Sequence, residues 1–314
     1  MRNPPQPCAP PEKFVPAVLT QPASAPVLTV SLRSPVYWWH LLSLDAPAIA
    51  FVWAFTFARA FSVHLPWYSY ATLALGTWCV YVADRLLDGW LHKPAATLRE
   101  RHRFYARHRS AFAVTLLAAL AALAYLLLLR VGESVRKEDF LLAIVGLLYF
   151  GLIHAAPSRT ATTHRARLPK ELAVGVLFAC AVAAPVCAHL QGQAVWMLLA
   201  TACFAGLCCW NCVAIQTWED AGAVANPAED VVHPLTRWLG ARLPDCALIL
   251  LLLATGLFLA APSAEFRVLP ASALGSGLLF WLLHRSSPRL HARTLRVAVD
   301  LALLTPLLAL ALPR

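Results

Sequence analysis

Charge is scarce in this sequence. Asp, Glu, Lys and Arg make up 13% of its 314 residues, about half the share of an ordinary globular domain, which excludes a soluble fold with a fully solvated surface. Acids are the scarcer sign, 16 against 26 Lys and Arg, for a net charge of +10. The basic residues lie between apolar runs and not on one soluble face, so they read as topology determinants and not as a nucleic-acid surface. A disulfide framework is missing too. Of nine cysteines, Cys79, Cys180, Cys187, Cys203, Cys208, Cys209, Cys212 and Cys246 sit within or beside apolar segments, where cysteine acts as a small packing residue. No early apolar run is long enough for a signal peptide. His102 and His108 lack a ligand-spaced partner for zinc. No Gly or Pro interruptions recur at matching positions in two halves, as they do in many transporters.

What is present is apolar length. Hydrophobic residues form 60% of the chain, and runs long enough to span a bilayer, or nearly so, fall at about 43–61, 66–88, 110–130, 139–156, 170–189, 193–218, 244–262, 267–284 and 294–312. The spacing predicts an all-α, polytopic membrane protein of about nine helices. Residues 1–38 are Pro-rich and read as a disordered cytoplasmic tail, ahead of a membrane domain over 39–314. Tyr37, Trp38 and Trp39 mark the membrane entry, since aromatic rings settle at the headgroup level. Lys and Arg crowd one set of connections, above all Lys93–Arg109, Arg159–Lys170 and Arg285–Arg296. That imbalance predicts a cytoplasmic N-terminus and an external C-terminus, and the bacterial inner membrane is the expected location.

Two acids break the apolar pattern at the end of the second run. In Val80–Trp90, VYVADRLLDGW, Asp84 and Asp88 stand four apart on one helical face. They repel each other beside the negative end of a helix, a conflict that a cation resolves. Hard carboxylate oxygens at a membrane edge suit Mg²⁺, which favours one or two carboxylates plus phosphate oxygens. A solvated helix end with idle acids is the alternative. The stretch Ala83–Gly89 resembles the first aspartate-rich motif of the UbiA superfamily of intramembrane prenyltransferases, NxxxDxxxD continuing into Gly. Both aspartates, Arg85 and Gly89 match, and Val80 stands in place of Asn. The resemblance also implies nine helices, arranged around a central cavity.

A second polar set ends the sixth run on the same predicted side. Gln216 and Asp220 are four apart, and Asn211 and Glu219 form a neighbouring track about two turns long. The resemblance implies an acid-rich second motif here, opposing the first across a cavity. On that basis Asp84, Asp88, Asn211, Glu219 and Asp220 form the expected catalytic set, with Asp84, Asp88 and Asp220 as the Mg²⁺ ligands. Arg85, Gln216, Arg165 and Lys170 are the expected diphosphate contacts, Arg165 and Lys170 serving equally well as ordinary positive-inside anchors. The expected partners are a prenyl diphosphate, a lipophilic or aromatic acceptor and membrane lipid. A catalytically altered relative that binds isoprenoids is the alternative, with a transporter behind it. Five further groups carry weaker expectations. Glu100–Arg109 reads as a lid or as topology charge. Asp300 reads as the i,i+4 partner of Arg296, with a proton relay as the alternative, Asp45 as a helix-start acid, and His154 as a lone group at the same mouth. Cys209 and Cys212 read as packing residues.

Overall fold

A right-angle turn opens the structure. The computed structural model describes residues 34–91, 100–130, 169–222 and 232–311. The tail before Ser34 and the predicted span at 139–156 lie outside the described residues. Helix α1 (Pro35–Leu41) begins with proline, whose fixed φ suits a first helical position. It meets α2 (Asp45–Ala60) at 89°. The chain turns there through Ser43 at φ 59°, left-handed backbone that L-residues seldom adopt.

The remaining elements are helical. They are α3 (Trp67–Leu91), α4 (Glu100–Arg107), α5 (Arg109–Leu129), α6 (Lys170–Cys187), α7 (Ala194–Gly222), α8 (Pro234–Gly240), α9 (Leu243–Ala260), α10 (Ala264–Ser286), a 3₁₀ turn at Ser287–Arg289, α11 (Ala292–Ala302) and α12 (Pro306–Ala311). Among the described residues five helices combine the length and apolarity to cross a membrane, namely α5, α6, α7, α9 and α10 with its 3₁₀ extension. The count reaches six if α1 and α2 are one bent span. This is the architecture of a multi-pass membrane protein. At 25 residues α3 also has the length, but its aromatic and charged residues set it apart from the five.

The run at 294–312 is not one helix. It divides into α11 and α12 at a turn over residues 303–305, where an α2 side chain satisfies a carbonyl that the break frees and a side chain of the turn anchors it to α10. The Trp53 indole N–H donates to the Leu303 carbonyl at 2.7 Å, and the Thr305 hydroxyl donates to the Ser272 carbonyl at 2.8 Å while lying 2.6 Å from the Ser276 hydroxyl. Such satisfaction is what broken helices need in lipid.

Helix α2 is the hub. Ala50, Trp53, Ala54 and Phe57 are almost completely buried, and Trp53 stacks on Phe204 of α7 at 4.1 Å between centroids. Trp210 of α7 stacks on Phe280 of α10 at 4.4 Å. Helices α6 and α7 run antiparallel and pack at Gly175, where a Cβ would come within 2.6 Å of the Cys209 backbone nitrogen. A small residue is what so close a backbone approach requires. A second core cluster of Val82, Tyr105 and Phe112 joins α3, α4 and α5. On α5 only Phe112 and Leu126 are buried, a surface suited to lipid.

Candidate functional site

Polar side chains converge where α1 turns into α2. Arg85 of α3, buried, donates to the Leu41 carbonyl and to the Ser43 hydroxyl. Its guanidinium lies 5.5 Å from the Tyr105 ring centroid, and the Tyr105 hydroxyl is 2.8 Å from that of Ser43. The Trp78 indole N–H donates to the Leu42 carbonyl at 3.1 Å. Thus α3 and α4 hold the carbonyls and the hydroxyl that the break exposes, which a membrane interior would otherwise leave unsatisfied.

Beside this lies a cluster of ionisable groups. The Oδ2 of Asp45, at the first position of α2, is 2.6 Å from His40 Nδ1, and its Oδ1 accepts the Ala46 N–H at 3.0 Å. From α11, Asp300 Oδ2 lies 3.5 Å from the same His40 nitrogen. The Nδ2 of Asn211, from α7, donates to Asp300 Oδ1 at 3.0 Å. All four side chains are largely buried. An open cleft of about 240 Å³, lined by Val36, Trp39, Val297, Leu301 and Leu304, reaches the two acids and the histidine. Groups so placed can hold a cation or share protons, and ionisable residues in a membrane interior are functional by default.

The polar track on α7 faces α11. Asn211 meets Asp300, and two turns on, the Glu219 carboxylate takes the Arg296 guanidinium. Arg296 and Asp300 were expected to pair along their own helix, but each turns to α7. The reason is that α7 offers a longer-range partner to each, an acid to the arginine and an amide to the aspartate. Gln216 and Asp220 do pair along their helix, at 2.8 Å, and Asp220 is exposed.

Asp84 sits half-buried at the end of α3, with Lys170 Nζ 3.6 Å from its Oδ1. Lys170 opens α6, and its neighbour Glu171 accepts from the Thr236 hydroxyl of α8 at 2.8 Å. Asp84 of α3 thus meets the start of α6, and α8 touches the start of α6 through Thr236 and the end of α7 through Gly240, which abuts Thr217; Asn211 and Glu219 turn instead to α11. Val80, one turn before Asp84, is exposed among the described residues. The Asp88 side chain, Arg165 and His154 lie outside what is described. The segment after the first motif forms the ordered α4, with Phe104 5.9 Å from Trp38 and Tyr105 stacked 4.0 Å from Phe112.

His40, Ser43 and Tyr105 carry no sequence signal of their own. His40 adjoins the Tyr37–Trp39 cluster five residues before Asp45, and that proximity of a base and an acid at a membrane entry is the one clue. Away from the polar end, an apolar cleft of about 380 Å³ lies between α2, α7, α9 and α10, lined by Phe61, Trp196, Phe204 and Phe266 among others. Comparison with protein-family models, curated proteins and solved structures finds no match.

Proposed function

We propose that this protein is a divergent membrane prenyltransferase of the UbiA type, transferring a polyprenyl group from its diphosphate to an aromatic or other lipophilic acceptor. The observation that carries the reading is the pairing of Asp84 with Lys170 at the polar end of the bundle. A carboxylate and an ammonium side by side, half-exposed at a helix end, are the groups that a metal-bridged diphosphate needs. Further support comes from the contacts that tie the start of α6 to α3 and to α8, and from the polar residues at the end of α7, against which α8 packs. The nine-helix arrangement around a central cavity and the cytoplasmic N-terminus in a bacterial inner membrane belong to the same proposal.

Asp84, a partly exposed carboxylate, is of the hard oxygen type that Mg²⁺ takes. Asp88 and Asp220 would complete the ligand set, and the ion would supply charge neutralisation for the departing diphosphate. The rest falls to the chain. Lys170, with Arg165, stabilises charge on the leaving oxygens. Gln216 orients Asp220 through its 2.8 Å hydrogen bond, and Arg85 acts from beneath by fixing the α1–α2 turn against α3. Apolar walls then shield the allylic cation from water until the acceptor attacks.

A second reading rests on a specific observation. Asp84 and Glu219 are already neutralised by Lys170 and Arg296, and Val80 replaces the family's asparagine, features of a relative that binds isoprenoid diphosphates without turning them over. One experiment addresses both. Protein in nanodiscs is incubated with labelled prenyl diphosphates of several lengths, with acceptors and with or without Mg²⁺. Transfer that Asp84→Asn abolishes supports the enzyme, and Mg²⁺-dependent binding without transfer supports the relative. Binding that ignores both Mg²⁺ and Asp84→Asn refutes the diphosphate site.

A further inference from the structure

We propose that His40, Asp45 and Asp300 bind one divalent metal ion of the zinc type. The site is separate from the diphosphate mouth and does not depend on it. One donor atom from each residue lies within 4.8 Å of the other two, and His40 Nδ1 is 2.6 Å from Asp45 Oδ2 and 3.5 Å from Asp300 Oδ2. Bonds of about 2.0–2.2 Å in a tetrahedral zinc site set ligand atoms roughly 3.3–3.6 Å apart. The His40–Asp300 separation of 3.5 Å already meets this, and the 2.6 Å between His40 and Asp45 opens by a small rotation of either side chain.

The carboxylates are oriented for such a role. Each has its Oδ1 held by a donor, the Ala46 N–H on Asp45 and the Asn211 amide on Asp300, leaving both Oδ2 atoms turned towards the imidazole. Anchoring the non-ligating oxygen is how outer-shell groups fix metal ligands. Asn211 itself is only 8% exposed, and its Oδ1 is buried without a hydrogen-bond partner. An orphaned acceptor on the side chain that holds Asp300 marks this polar cluster as short of a partner, which a bound ion with its water would supply. The cleft lined by α1 and α11 reaches these three residues from outside.

Charge and donor type decide the metal. Two buried carboxylates facing one imidazole are costly to hold ionised, and a dication neutralises both. Arg85 gives its hydrogen bonds to Leu41 and Ser43 and reaches the two acids only through its charge. An imidazole nitrogen with two carboxylate oxygens suits zinc and its neighbours, whereas Mg²⁺ prefers oxygen throughout. Three protein ligands with a fourth position open is the pattern of a reactive and not a purely structural zinc site.

The test uses the full chain in nanodiscs, stripped with a chelator and titrated with Zn²⁺, Mg²⁺ and Co²⁺ alone. The expected result is one zinc per chain by elemental analysis, unaffected by a large excess of Mg²⁺, with visible Co²⁺ bands of a low-coordinate site. Asp300→Asn and His40→Gln each weaken zinc roughly tenfold or more and alter the Co²⁺ spectrum. Asp84→Asn keeps one zinc per chain, which separates this site from the diphosphate mouth. Three results overturn the proposal: no zinc on the wild-type chain, displacement of zinc by Mg²⁺, or unchanged zinc affinity in both ligand variants. If either variant misfolds, the wild-type metal competition and Co²⁺ spectrum decide alone.

Discussion

Replacing Gly175 by alanine tests a close backbone approach between α6 and α7. The added methyl would stand 2.6 Å from the Cys209 backbone nitrogen, 2.7 Å from its Sγ and 2.9 Å from its Cα. An ordinary contact begins near 3.4 Å, so α6 and α7 must part by about 0.8 Å, and two of the three obstructing atoms are backbone that no rotamer change removes. Overpacking of this kind costs about 1–3 kcal/mol, set against a helix-propensity gain of about 1 kcal/mol for Gly to Ala. Gly76 in α3 provides the control, since nothing lies within 4 Å of a Cβ there and only the gain remains. The two variants should therefore differ by about 1–3 kcal/mol, with Gly175→Ala the less stable. At about 2–4 °C per kcal/mol for a chain of this size, the separation in detergent is about 2–12 °C. If Gly175→Ala melts at or above Gly76→Ala, the close approach of α6 and α7 is not real.

Three further outcomes follow from particular contacts. Glu219→Gln and Arg296→Gln each strand a part-buried charge, at a cost of up to about 3–5 kcal/mol, and a double-mutant cycle by thermal unfolding should give a coupling of about 0.5–3 kcal/mol; additive costs would break the pair. Trp53→Phe keeps the ring but leaves the Leu303 carbonyl unpaired at the α11–α12 turn, for a loss of about 1–3 kcal/mol, and hydrogen exchange should rise at residues 303–305 if the indole satisfies that break. Ser43→Gly should be more stable than Ser43→Ala by about 1 kcal/mol, since both lose the hydroxyl that Arg85 and Tyr105 share but only glycine accepts φ 59° without strain; equal melting temperatures would argue against a left-handed residue at the turn.

Membrane class and most helix positions were legible because bilayer thickness leaves a long apolar signature. The run at 193–218 maps onto α7 and that at 244–262 onto α9, with ends shifted by a few residues. The break in 294–312 was not legible, because it depends on Trp53, Ser272 and Ser276, which are remote in sequence. The polar track on α7 could be read from spacing, whereas its partner could not. Local i,i+4 logic paired Arg296 with Asp300, while packing brings α7 between them and gives each a partner of its own. Asp45 reads as a helix-start acid and does accept the N–H of Ala46. Only the bend that returns His40 to it reveals the second role.

The stacked ring and buried hydrogen bond of Trp53 also carry a timetable. Its indole donates across 250 residues to Leu303, and Asn211 reaches 89 residues to Asp300. At about 5–20 residues per second of synthesis, roughly 12–50 s pass between the emergence of Trp53 and that of its acceptor. For that interval α2 sits in the bilayer with an indole donor and an acid–histidine pair lacking their final neighbours. Helices α11 and α12, made long after α2, are therefore the ones that lock it, and truncation before α11 should leave an assembled set of helices whose hub is open, a substrate for quality-control proteases and not a smaller working protein.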